Sequence, residues 1–366
     1  MTNPLPLPSG VRARQVPNVN GLSMHVLEAG TAGQPLIVLL HGFPELAFSW
    51  RNVMPVLAQH GYRTLAPDQR GFGRTLGGST DYETDLAPYR ATSLASDITR
   101  LLDALGETDA HAVVGHDFGA SVAATLALLH PDRFHRLALM SAPFSGVATP
   151  SAVAPVLAIT EALAALTPPR KHYHYYYSTP EANGDMCNAP QGVHDFLRAY
   201  FHHKSGDWPE NRPRRLKGWT AEALAELPTY YLMHRGDTMP ETVAPFMPDH
   251  AMIAACSWLP DAALGVYSEE YDRTGFQGGL NWYRARLLGP DMEQHRQLAG
   301  RTIDVPSSFI SGASDWGVYQ TPGALEAMQQ RACTDLRGVH LIDGVGHWVQ
   351  QEAPEIVADH LLTLFG

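Results

Sequence analysis

Cysteine is scarce in this chain, and that scarcity excludes two ways of holding a protein together. The three cysteines, Cys187, Cys256 and Cys333, are widely spaced and odd in number. This argues against a disulfide framework and a zinc cluster, and for a reducing compartment. Runs of Lys or Arg are missing too, and the net charge is −11. An acidic chain without a basic patch lacks the electrostatic means to gather nucleic acid or an anionic membrane surface. Long apolar runs are also absent. The nearest, "SAVAPVLAITEALAALT" at 151–167, is broken by Pro155 and Glu161 and sits between Pro150 and Pro168. It falls short of the roughly 20 residues a membrane span needs, and a buried or cap-forming helix is expected instead. The opening "MTNPLPLPSG" has neither the basic nor the apolar region of a signal peptide. A soluble, cytoplasmic protein is expected, and a homodimer is compatible with the sequence.

What is present is an alternation of short apolar runs and longer helical patterns. "LSMHVLEAG", "PLIVLLHG", "YRTLAPD", "HAVVGHD" and "RLALMSA" predict strands. Between them, "SLASDITRLLDALG" predicts an amphipathic helix stopped by Gly106, and "GASVAATLALLHP" a helix ended at Pro131. Such alternation implies a parallel sheet with helices on both faces. From about residue 145 the pattern gives way to a stretch rich in Pro, Tyr, His and Trp, helical in places and without strand alternation. It resumes with "DVPSSFISG", "ALEAMQQRA", "GVHLIDG" and "PEIVADHLLTLF". The expected organisation is a sheet domain in two pieces, 1–144 and 293–366, with a helical insertion, 145–292.

One missing motif directs the search for chemistry. No G-x-S-x-G follows a strand, and "SGASD" has the wrong glycine spacing, which disfavours a serine esterase. In its place stands "VVGHDFGAS", with Asp117 between Gly115 and Gly119. A strand before, a helix after and a glycine on either side are what a nucleophile elbow requires. A helix cap would also use Asp here, so the partners decide. In α/β-hydrolases the order is nucleophile, acid, histidine. Asp315 follows the strand in "SSFISGASDWG", and His347 follows the last strand in "GVGHWVQQEAP". Both fall at carboxyl ends of strands, where open parallel sheets bind ligands. The backbone N–H of Phe43, in "HGFPE", and that of Phe118 are candidates for an oxyanion hole. "DQRGFG" (68–73) looks like a loop-bracing Asp/Arg pair, with no chemistry assigned to it.

In this order, "HGFPE", "GHDFG", "GASDWG" and "GHWVQQEAP" resemble the epoxide hydrolases of the α/β-hydrolase superfamily. Two motifs of the insertion extend the resemblance. "HYHYYYSTPEA" resembles the segment carrying the first cap tyrosine and picks out Tyr173; "TGFQGGLNWYRA" resembles the segment carrying the second and picks out Tyr283. Spacing alone does not separate Tyr173 from Tyr176, which share a helical face. Tyr175 and Tyr177 are taken as a packed aromatic stripe. The resemblance implies an α/β-hydrolase fold with a helical cap, Asp117 as nucleophile, Asp315 and His347 activating water, and cap tyrosines as acids. Its ligands would be a small-molecule epoxide and water, with no cofactor and no metal. Trp282 and Trp348, sequence neighbours of Tyr283 and His347, are expected to line the substrate pocket.

The chemistry fits the residue types. An epoxide has no carbonyl, so the first attack is on saturated carbon, and a serine would leave an ether. Aspartate leaves an ester, whose carbonyl carbon water can then attack. A haloalkane or haloacid dehalogenase is the closest rival, since it shares the Asp nucleophile. Halide needs N–H donors, and the positions that would supply them hold Phe118 and Phe43; a fluoroacetate-type enzyme would also want an arginine after the nucleophile. A non-catalytic ligand-binding homologue is the rival of another class, and the intact trio with both tyrosines argues against it.

Overall fold

Every strand expected in the two outer pieces of the chain joins one sheet. The computed structural model describes residues 3–147, 155–288 and 298–366. In chain order the strands are β1 (Arg12–Val19), β2 (Leu22–Ala29), β3 (Leu36–Leu40), β4 (Arg63–Pro67), β5 (Ala112–His116) and β6 (Leu137–Met140). They continue with β7 (Arg170–His172), β8 (Leu232–His234), β9 (Ser307–Gly312) and β10 (Leu336–Ile342). Eight of these form the main sheet in the order β1-β2-β4-β3-β5-β6-β9-β10. β2 runs antiparallel to β1 and β4, and the other neighbours are parallel.

Side-chain alternation explains why both faces are covered. In "LIVLL" of β3, Ile37 and Leu39 join one apolar cluster while Val38 and Leu40 join the other. The first cluster is closed by Val53, Met54 and Leu57 of helix α1 (Val53–Gln59) and by the C-terminal helix Pro354–Phe365. The second is closed by α2 (Ala91–Leu105) and α3 (Phe118–Leu129), and it runs on into the segment between β6 and β9. Each fully buried Leu, Ile or Val contributes about 1.5–3 kcal/mol, so no strand register that exposes one face competes with this one.

Three expectations need correction. β1 was not foreseen: its burial pattern is almost wholly exposed, as suits an edge strand, so no alternation announces it. The insertion is not purely helical, because β7 and β8 pair as an antiparallel ribbon with Arg170 opposite His234. Strands of three residues carry no period and exist only through their distant partner. Arg70 does not brace Asp68; it forms a two-point pair with Asp97 on α2 at 2.7 and 2.8 Å. Asp68 instead accepts from His25, Ala47 N–H and Arg74 N–H. Of the 151–167 stretch, helical turns form at Pro155–Ala158 and Thr160–Ala164. Residues 151–154, and the expected 292/293 boundary, lie outside the described residues. Among the described residues, no helix is long and apolar enough to cross a membrane.

The β5–α3 elbow rests on glycines for steric reasons. A Cβ on Gly119 would lie 2.3 Å from the Leu40 carbonyl oxygen, and one on Gly115 would lie 2.2 Å from the Gly119 oxygen. Gly119→Ala is therefore expected to cost about 1–3 kcal/mol by overpacking, seen as a lower urea midpoint. An unchanged midpoint would contradict this contact of α3 with β3.

Candidate active site

Asp117 occupies the first turn of the elbow at φ 53°, ψ −118°, a conformation that side-chain-bearing residues avoid. Its own N–H donates to the Met140 carbonyl at 3.1 Å, which ties the strained residue to β6. The carboxylate then stands above the carboxyl ends of the strands, its side chain 12% exposed. Gly42 lies against it so closely that a Cβ there would be 2.4 Å from the Asp117 Cβ. That approach lets the Phe43 N–H donate to Asp117 Oδ1 at 3.2 Å. The Phe118 N–H donates to the same carboxylate. Two backbone donors thus converge on one oxygen-bearing group.

His347 and Asp315 come from the two loops expected. His347 Nε2 is 3.6 Å from Asp117 Oδ2, and Nδ1 is 3.1 Å from Asp315 Oδ1. Asp315 also accepts from the Gly317 N–H at 2.6 Å and the Ser311 hydroxyl at 3.0 Å. Burial would raise its pKa, but His347, through its charge and hydrogen bond, and the Gly317 N–H outweigh burial and hold it at about 2. An ionised Asp315 fixes the imidazole with its proton on Nδ1, leaving Nε2 as the basic nitrogen. Nε2 is buried and accepts no hydrogen bond in the structure. Burial first, then the Lys204 ammonium, lower the His347 pKa, while Asp315 opposes them. Burial likewise raises that of Asp117, but His347 and Lys204 bring it below the usual carboxylate range.

Beneath the trio lies a charged pair that the sequence motifs contain but do not announce. His116 Nδ1 is 2.7 Å from Glu45 Oε2, and His116 Nε2 donates to the His347 carbonyl at 2.8 Å. The Gln350 and Gln351 amides also donate to Glu45. Burial opposes charge on both partners, yet Glu45 holds the His116 pKa up and His116 holds that of Glu45 down. With the Ser141 hydroxyl, which also donates to the His347 carbonyl at 3.1 Å, this pair sets the height of the His347 loop. His41 braces the opposite loop: Nδ1 donates to the Gly42 carbonyl, and Nε2 accepts from the Gln69 N–H. The signal for these contacts was the His and Glu of "HGFPE" and "GHD"; their partners are set only by the fold.

The tyrosines form the facing wall. Tyr173 begins the short helix Tyr173–Tyr177, and Tyr283 lies on the helix Gln277–Leu288. Their ring centroids are 5.9 Å apart, and Tyr283 stands edge-on to Phe118 at 4.5 Å and Phe43 at 5.5 Å. The Tyr173 hydroxyl donates to Gln320 Oε1 at 3.1 Å. Burial, and next the Asp117 charge, push both phenols well above the ordinary tyrosine pKa, so both stay protonated. Tyr176 points elsewhere, donating to Asp185 at 3.0 Å. Tyr177 is buried against Tyr283, but Tyr175 is 39% exposed and belongs to no packed stripe, because its helical position faces solvent.

Each tryptophan has its indole N–H committed. The Trp282 indole donates to the Arg70 carbonyl at 2.9 Å and packs against Phe118; the Trp348 indole donates to the Phe201 carbonyl at 2.8 Å and packs against His347. Both are buried to the same degree as Tyr283 and His347 beside them. A cavity of about 830 Å³ is lined by His174, which packs on Tyr173 and Tyr283, and by Gln320, which is bonded to Tyr173. Leu216, Trp219, Leu287 and Val318 give it apolar walls.

Comparisons with known proteins give the family. A family model described as the alpha/beta hydrolase fold matches residues 35–163. The chain is 36% identical to epoxide hydrolase A of Mycobacterium tuberculosis over 361 residues, which is 96% of this chain and 97% of that protein. Among solved structures, an epoxide hydrolase from an endophytic Streptomyces superposes with a TM-score of 0.78 at 31% identity, covering 98% of this chain and 96% of that one. Potato epoxide hydrolase I does so at 0.75 and 30%, covering 96% and 98%. With such likeness over nearly its whole length, the chain belongs to the epoxide hydrolases of the α/β-hydrolase fold.

Proposed function

We propose that the protein converts an epoxide and water to a vicinal diol through an alkyl ester on Asp117. The observation that carries this is a carboxylate held by two backbone N–H groups, with the unpartnered, buried Nε2 of His347 3.6 Å away. Asp117 attacks a ring carbon, and the C–O bond of the ring breaks. Tyr173 and Tyr283 donate to the oxygen as it leaves. Water then loses a proton to His347 Nε2 as it attacks the ester carbonyl carbon. The N–H groups of Phe43 and Phe118 stabilise the tetrahedral oxyanion, which collapses to release the diol and restore the carboxylate. Residues 145–292 act as the cap that supplies the tyrosines, and the cavity beside His174 and Gln320 is the route for substrate.

Dehalogenation is disfavoured by a specific feature. The indole packed against Phe118, that of Trp282, has its N–H committed to the Arg70 carbonyl, and Phe43 and Phe118 offer no side-chain donor to a halide.

His347→Asn should form the ester but not release it. Intact mass after mixing with styrene oxide is expected to show a persistent adduct, abolished by the further change Asp117→Asn; an unmodified His347 variant would overturn the scheme. Tyr173→Phe and Tyr283→Phe should each slow ring opening by roughly 10²-fold or more, and the double variant should be slower still in single-turnover kinetics. Wild-type activity in both single variants would remove the tyrosines from the mechanism. His347 must be neutral to take a proton, and its pKa is lowered. The acid limb of kcat should therefore lie below the unperturbed histidine value of about 6.5, with no loss from there to neutrality. A limb above that value would contradict the assigned environment.

A further inference from the structure

One buried cation next to the site takes no part in the steps above. Lys204 ends the helix Gly192–Lys204 and is 3% exposed. Its ammonium faces four aromatic rings, with Nζ 4.9 Å from the Tyr231 centroid, 5.2 Å from Trp348, 5.3 Å from Tyr200 and 5.6 Å from Tyr230. Among the described residues, no carboxylate forms an ion pair with it. An unpaired buried cation is costly, and cation–π contacts offset part of that cost. Its backbone is fixed as well, since the Lys204 carbonyl accepts the His347 N–H at 2.9 Å. One ring separates the ammonium from each half of the site: Trp348 packs on His347 at 4.7 Å, and Tyr231 packs on Tyr173 at 5.1 Å.

We propose that Lys204 is a positioning residue for the second half-reaction, its side-chain nitrogen, one ring away from His347 and from Tyr173, favouring the return of negative charge to Asp117. This rests on the ester mechanism proposed above. Alkylation removes the charge of Asp117, an anion within the field of Lys204. Ester hydrolysis reverses this: the water oxygen bonds to the Asp117 carbonyl carbon, its proton passes to His347 Nε2, and the bond to the alkyl oxygen breaks. The departing alkoxide takes that proton back, leaving diol and a carboxylate that Lys204 stabilises. The Lys204 charge reaches both Asp117 and His347.

The other groups facing His347 are Asp315 after β9, Asp117 at the start of α3 and His116 at the end of β5, which is paired with Glu45. Glu352 accepts the N–H groups on either side of it, from Gly346 and Trp348. Around Lys204 itself stand the four rings, with His174 and His203 within reach of its charge. Lys204 is the cation of this set with no carboxylate partner, so its removal changes the charge balance of the site.

The test is single-turnover kinetics with styrene oxide across pH, with intact mass following formation and decay of the Asp117 ester. Lys204→Met replaces the ammonium by a thioether that packs well among aromatic rings; Lys204→Gln is a second neutral variant should the first melt early. For a neutral variant, the acid limb of ester decay is expected to move up by about one pH unit, and decay to slow roughly ten-fold relative to formation. Lys204→Arg, which keeps the charge, is expected to restore both. If the neutral variants form and decay the ester with the wild-type ratio and limb, Lys204 is a packing residue and the proposal fails. If the wild type forms no ester at all, the mechanism beneath it fails instead.

Discussion

The site depends on one close approach of backbone to backbone. Asp117 is held at positive φ by its N–H bond to Met140, while Gly115, Gly119 and Gly42 leave no room for a side chain on any neighbouring surface. Because Gly42 lies against the Asp117 Cβ, the Phe43 N–H reaches the carboxylate. A methyl group at Gly42 would push the loop after β3 away from Asp117 and part the Phe43 N–H from the carboxylate. Strain of this kind costs about 1–3 kcal/mol and persists only where the surroundings over-determine it. Here the parallel core strands β3, β5 and β6, buried on both faces, supply that rigidity.

Electrostatics is the second constraint, and it is managed by pairing. Asp117, Asp315, Glu45, His116, His347 and Lys204 occupy a small volume in which isolated charges would be prohibitive. Glu45 and His116 neutralise each other under the nucleophile, and Asp315 is held ionised at about 2 by His347 and the Gly317 N–H. Removing one partner of either pair would leave the other uncompensated in the low dielectric, whereas Lys204 leans on aromatic rings instead. The phenols opposite remain protonated because burial and the Asp117 charge both oppose ionisation. The proposed ring opening and ester hydrolysis would draw on the phenols as acids and on the imidazole as base.

The parts of the fold set by local pattern were legible in the sequence. "PLIVLLHG" and "HAVVGHD" announce doubly covered strands through unbroken apolar runs, and Gly106 ends α2 at φ 75° as expected. The trio was legible because order and strand ends constrain it jointly. What escaped was set by distant partners. Arg70 looked like the partner of Asp68 because the two are close in sequence, yet Asp97 on α2 takes it. The carbonyls that accept the indole N–H groups of Trp282 and Trp348 are likewise distant in sequence. Lys204 carries no motif; its place emerges only when four rings from separate elements close around it. Tyr173 and Tyr176 were inseparable by helical spacing, and the hydrogen bond of Tyr176 to Asp185 separates them.

The central claim concerns the path of one oxygen atom. If water attacks the carbonyl carbon of an ester on Asp117, its oxygen enters the carboxylate, and the diol leaves with an oxygen that belonged to the protein. Repeated turnover of an epoxide in oxygen-18 water, followed by proteolysis and mass analysis of the Asp117 peptide, measures this directly. The account predicts heavy oxygen in that peptide. Labelled diol accumulating beside an unlabelled Asp117 peptide would mean that water attacks the epoxide itself, and would contradict the account.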